Sequence, residues 1–276
     1  MAFKIITADK RVNQRKITCL LTGMYKVGKT YTLKTLPPES TLFLNIEAGD
    51  LAVTDWQGAS IDLLSWEDIK DVVCLIAGAN PARRNNESYS QKHYSRVIKQ
   101  YPNIDIAKYK IVFFDSLTIA SRVCLHWCKG QPQAFTDDGK PNMFGVYGLL
   151  GAEMMDMCTH LHYASAVDVI FVMQMMRDFD EYKRPIWGLQ AEGKMLCDKL
   201  PYLVDQVMTL AWLEAEDGRN FRAIVTKSDN AFGYPAGDRS GRLDQLEPPN
   251  LQHILDKAKG NVTAAKDAPP QAKTKA

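Results

Sequence analysis

Four stretches of this chain are apolar almost without interruption: 17–23 (ITCLLTG), 41–47 (TLFLNIE), 110–116 (KIVFFDS) and 168–176 (DVIFVMQMM). Runs of this kind suit strands covered on both faces, the condition of a parallel sheet between layers of helix. Two later stretches, 205–215 (DQVMTLAWLEA) and 221–228 (FRAIVTKS), carry more polar positions. Asp217-Gly218 between them is a strong signal for an antiparallel hairpin.

Between the first four runs the spacing turns helical. Helices are expected in KTYTLKTL after the first glycine loop, and over 65–79, 116–130 and 145–166. Ser65 with Asp68 three residues on resembles a capping box. This alternation predicts an α/β core: a mostly parallel central sheet, helices on both faces and a C-terminal antiparallel hairpin. The polar stretch 80–109 reads as an insertion, and 129–144 and 177–195 as loops at strand or helix exits. The expected division is an N-terminal extension (1–15), a core (16–235), a C-terminal segment (236–259) and a disordered basic tail (260–276). The sequence shows no internal repeat.

Composition narrows the function classes. A length of 276 residues suffices for one large α/β domain with small additions. The chain is 46% hydrophobic and 24% charged, as globular proteins are. A net charge of +2 and a pI near 8.1 do not announce nucleic acid, so any basic face must be local. No run approaches the ~20 apolar residues of a membrane span, and residues 1–16 lack the apolar centre of a secretory signal. A cytoplasmic protein without membrane partners is expected. Cys19, Cys74, Cys124, Cys128, Cys158 and Cys197 form no CxxC pair, which favours reduced thiols. Cys124 and Cys128 share a helix face while His126 points elsewhere, which favours core cysteines over zinc.

Candidate chemistry starts at Gly23-Met24-Tyr25-Lys26-Val27-Gly28-Lys29-Thr30, a full match to GxxxxGK[ST] between an apolar strand and a helix-capable segment, with Tyr31 beside it a further nucleotide-binding candidate. Gly23 and Gly28 permit the tight turn that converges N–H groups on phosphate. The positive end of the helix that begins near Lys29 adds to the attraction. Lys29 places a point charge on the β- and γ-phosphates, and the Thr30 hydroxyl ligates Mg²⁺. ATP and Mg²⁺ are the expected cofactors. Asp115 ends an apolar strand, where it serves either as the water-mediated Mg²⁺ ligand or as an N-cap, a place Ser116 also fits.

On these motifs the chain resembles the RecA-like ATPase core, and within it the small phage-encoded RecA-like ATPases of single-strand annealing and recombination. The resemblance runs from about Lys16 to about Gly233 and implies roles for further residues. Glu47, ending LFLNIE, matches the glutamate that orients the attacking water; otherwise it is a turn acid. Gln174, in VIFVMQMMRD, matches the glutamine that senses the γ-phosphate. The loops after the Asp115 helix and after Gln174 match two DNA-binding loops. The second offers Arg177, Lys183, Arg184, Trp187 and Lys194 among the acids Asp178, Asp180, Glu181 and Glu192; the first offers Lys140 and Phe144. A mixed-charge solvated loop is the alternative. Lys227, in FRAIVTKSDN, matches a lysine that approaches nucleotide on a neighbouring subunit; otherwise it is an exposed strand-end lysine.

The resemblance therefore implies single-stranded DNA and further copies of the chain as partners, with Phe3 in MAFKII a candidate for adding a strand to a neighbour. A single-stranded-DNA-binding protein met by the basic tail is a further expected partner. The function expected is a Mg²⁺-dependent ATPase acting in annealing or recombination. A nucleotide-gated binding protein with little turnover and a helicase-like motor are the alternatives.

Overall fold

The computed structural model describes residues 16–164, 166–183, 185–262 and 269–273. Arg184, the N-terminal extension with Phe3, and most of the basic tail lie outside the described residues.

The four apolar runs become β1 (Thr18–Thr22), β2 (Thr41–Asn45), β4 (Ile111–Asp115) and β5 (Asp168–Val172), and every residue in them is buried. They pair in parallel in the order β1-β5-β4-β2, and a short strand β3 (Ala59–Asp62) extends the sheet beyond β2. On the other side of β1 lies β8 (Gln206–Glu214), parallel to it. The expected hairpin joins β8 to β9 (Asn220–Val225), with Gly218 at φ +84 in the turn. Two-residue strands β10 (Gly237–Asp238) and β11 (Leu246–Glu247) pair with β8 and β9. Among the described residues these nine strands form one sheet, the mostly parallel α/β core that the alternation predicts.

Side-chain alternation gives the sheet two dry faces. Leu20, Leu44, Phe114 and Phe171 point into one core, with α1 (Trp66–Ala77), α3 (Leu117–Cys128), α4 (Met143–His162) and α5 (Lys194–Leu203). Leu21, Phe43, Phe113 and Val172 point into the other, against Leu33, Leu36 and the Leu251, Ile254 and Leu255 stripe of α6 (Leu251–Lys259). Ser65 caps α1 as expected, its Oγ accepting from the Asp68 N–H. Cys124 and Cys128 lie buried with their sulfurs 3.9 Å apart, and His126 is exposed.

Four expectations need correction. The stretch after Gly28 is not an α-helix but a six-residue 3-10 helix, Thr30–Thr35. Thr32 and Thr35 donate their hydroxyls back to the carbonyls of Lys29 and Thr32, and Pro37-Pro38 follow at once. The stretch 177–195 is not a loop. Gln174–Phe179 and Pro185–Gln190 pair as an antiparallel hairpin, β6–β7, turned at Lys183 with φ +60, and α5 starts at Lys194. Within 80–109, residues Gln91–Gln100 form α2, capped by Ser90. In the tail, the Lys273 N–H donates to the Glu214 carbonyl and Ala272 bridges Ala215, so these residues dock on the end of β8.

Candidate nucleotide site

Parallel strands put their C-terminal ends at one edge of the sheet, where side chains from separate segments meet. Here Asn45, Asp115 and Val172 stand level across β2, β4 and β5, and Leu21 of β1 is level with Val172. The residues that follow these positions include the phosphate loop, Glu47, Ser116 and Gln174.

The loop is built around what it leaves out. A Cβ on Gly23 would fall 2.5 Å from the Leu210 carbonyl oxygen of β8, so the chain passes only as glycine. Gly28 takes φ +100, and Lys26 at the crest takes φ +56. Met24 is half-buried, Tyr25 and Lys26 are exposed, and Val27 is buried beneath them. Lys29 reaches back under the loop, its Nζ donating to the carbonyls of Gly23 and Met24 at 2.9 Å. Burial pulls its ammonium below the ordinary lysine value, against the opposing pull of Asp115 and Glu47.

Thr30 Oγ1 donates to Asp115 Oδ2 at 2.6 Å. The two positions expected to share Mg²⁺ are thus already joined, as hard oxygen donors suited to that ion. Asp115 is not the helix cap, since the Ser116 Oγ accepts from the Ile119 N–H and caps α3. Burial pushes the Asp115 carboxyl up to about 6, Glu47 adding to the rise while Thr30 and Lys29 oppose it. A divalent cation would reverse that balance. The Asp115–Ser116 peptide is cis.

Glu47 is exposed, and both oxygens of its carboxylate are bonded. Its Oε2 accepts from Ser116 Oγ at 2.7 Å and its Oε1 from Gln174 Nε2 at 3.2 Å. Gln174 in turn donates its backbone N–H to Thr118 Oγ1, and that hydroxyl donates to the Gln190 carbonyl. Gln174 and Gln190 are the paired residues at the base of β6–β7. One threonine of α3 therefore ties both strands of the hairpin to the site.

The other expected residues are spread more widely. Arg177 lies across β6–β7 from Trp187, its guanidinium 5.9 Å from that ring and 5.7 Å from Phe179. Trp187 continues into Tyr234 at 5.2 Å. Lys183 is exposed at the turn, and Lys194 is exposed at the start of α5. Lys140 sits apart, paired with Asp138, and Phe144 is exposed near the start of α4. Lys227 is also apart from its own phosphate loop: it follows β9 and pairs with Asp238 at 3.1 Å. Ser116, which the sequence offers only as a helix cap, bonds to Glu47, and Thr118 and Arg222, unnamed in the sequence analysis, lie against Gln174 and Gly28. Ser116 and Thr118 follow the Asp115 strand directly, so their positions carried a signal. Arg222 carried none.

Residues 15–240 match the AAA domain family. The chain belongs to that family. It is an AAA-type P-loop ATPase domain, and the Thr30–Asp115 pair fits the Mg²⁺ that such a domain uses with nucleotide. No curated protein matches the chain in sequence. Among solved structures, the AAA domain is similar to the RadB recombinase at 14% identity, over 76% of this chain and 79% of that one, with a TM-score of 0.31. It is also similar to an ATPase from the type III secretion system of pathogenic bacteria at 13% identity and a TM-score of 0.38. That match covers 71% of this chain and about half, 51%, of the secretion ATPase.

Proposed function

We propose that the chain is a Mg²⁺-dependent ATPase that binds single-stranded DNA on its β6–β7 hairpin and promotes annealing or homologous recombination. The observation that carries this reading is Gln174. It is the first residue of the hairpin, and its amide is already bonded to Glu47 beside the phosphate loop. An amide so placed passes the presence or loss of a γ-phosphate straight into a surface element.

Lys29 and the loop N–H groups would hold the phosphates, and Thr30 and Asp115 would hold Mg²⁺, which would supply charge neutralisation. Glu47 aligns and deprotonates the attacking water, with Ser116 and Gln174 fixing its carboxylate. Catalysis of this kind is mostly positioning. On the hairpin, Arg177 and Lys183 meet phosphates, while Trp187 stacks on a base; Lys194, Lys140 and Arg184 are further candidate phosphate contacts from the sequence. DNA stimulation of turnover follows from the same link. The resemblance to phage-encoded recombination ATPases supports a phage setting and an oligomer or filament in which Lys227 reaches a neighbour's nucleotide. It also supports a single-stranded-DNA-binding protein as partner.

The test is ATP turnover with and without single-stranded DNA, in wild type and Glu47→Gln. Turnover should rise with DNA. The variant should lose roughly a hundredfold or more of it while still binding ATP. Unstimulated turnover, with no DNA binding in the presence of ATP, would remove the DNA reading.

A further inference from the structure

Arg222 of β9 stands opposite Trp212 of β8, and its guanidinium is held between two rings, 5.5 Å from Trp212 and 5.6 Å from Tyr31. Its Nη1 lies against the phosphate loop itself: a Cβ on Gly28 would fall 2.5 Å from that atom. Gly28 thus leaves room for a cation as well as for the turn. Two aromatic faces fix the plane of the guanidinium but use none of its five N–H donors. Among the described residues Arg222 makes no ion pair. It is half-buried.

The order of the sheet says which end of a nucleotide it would meet. Asp115, Glu47 and Gln174 all stand on the β5-β4-β2 side of β1, and Thr30 bonds to Asp115. The metal-bearing terminal phosphate belongs there. The remainder of the molecule must leave the loop on the β8–β9 side, where Tyr31, Trp212 and Arg222 are. We propose that Arg222 is a nucleotide-binding residue of its own chain, donating from its guanidinium to the phosphate oxygens on the sugar side of the loop, with Tyr31 and Trp212 as the clamp that aims it. The inference rests on the reading of the loop as a nucleotide site, and not on the DNA reading.

It makes Arg222 indifferent to the γ-phosphate, which separates it from Glu47 and Gln174. The experiment is calorimetric titration of ADP and of ATP, without DNA, into wild type, Arg222→Gln and Arg222→Lys, with melting temperatures alongside. Arg222→Gln should weaken ADP and ATP by the same factor, about tenfold or more, as loss of a charge-assisted hydrogen bond does. Arg222→Lys keeps the charge but loses the planar fork and stack, and should fall between. Should Arg222→Gln fail to fold, Arg222→Lys alone decides. Wild-type affinities in the folded variants would overturn the proposal, as would a loss confined to ATP, which places the residue at the terminal phosphate. A wild type that binds neither nucleotide would instead remove the reading on which the proposal rests.

Discussion

The phosphate loop and the β6–β7 hairpin meet at the end of β5, yet they are made differently. The loop sits on β1, β4 and β5, whose residues are all buried, and its lysine is bonded underneath it. The hairpin has two strands, and from Met176 to Phe179 every residue of β6 is exposed. A two-stranded ribbon has little stability of its own. What holds it is its base, where Thr118 binds both strands and Gln174 binds Glu47. The contrast suits a switch: a rigid basin registers the phosphate, and a soft element responds.

Each side of that contrast can be broken separately. The largest effect belongs to the basin. Lys29→Ala should weaken ATP by at least a hundredfold, because the buried ammonium is the loop's own charge on the terminal phosphates. Since among the described residues the Lys29 Nζ bonds only to loop carbonyls, the melting temperature should stay within a few degrees; equilibrium nucleotide titration and a thermal melt check both. On the hairpin, Trp187→Ala should leave ATP affinity unchanged and weaken single-stranded DNA about tenfold, the value of one stacked base. Fluorescence anisotropy with labelled oligonucleotide reads that loss.

A smaller effect sharpens the electrostatics of the basin. Burial raises Asp115 to about 6, so the proton competes with the cation. The deprotonated form binds Mg²⁺, hence Mg²⁺-nucleotide affinity should level off above about pH 7 and fall below it, being about halved at pH 6. The loss should be about fourfold at pH 5.5. The same shift has the reverse sense for folding: a raised carboxyl holds its proton longer in the native state. Its contribution to stability therefore declines as pH rises from the ordinary aspartate value toward 6. Affinity measured across pH 5–8 should follow the first curve and vanish as a trend in Asp115→Asn.

The contrast also explains what could be read from the residues. The buried strands and the loop motif are contiguous in sequence, and their apolar runs admit few other structures. The hairpin was hidden because RDFDEYKRPIW has no alternation of apolar and polar residues; pairing, not burial, makes it a strand. The edge strand β3 is four residues of alternating exposure, too short to signal. In α2 the apolar stripe shrinks to Val97 amid polar residues, so the helix passes for an insertion. In α6 the signal was present, in the spacing of Leu251, Ile254, Leu255 and Ala258 after Asn250. Glu47, Asp115 and Gln174 were legible as strand-end polar residues, and the fold brings them to one edge. Arg222 was not, since only the β8–β9 register lays it over Gly28.

The central claim is that the hairpin feels the γ-phosphate through Gln174 and Glu47. It is tested most directly by single-stranded DNA affinity measured with a non-hydrolysable ATP analogue and with ADP, in wild type and Gln174→Ala. The account predicts tighter binding with the analogue in wild type, and equal affinities in the variant, whose nucleotide binding stays within a few-fold. The same affinity in wild type with both nucleotides, or a difference that survives in Gln174→Ala, would contradict it.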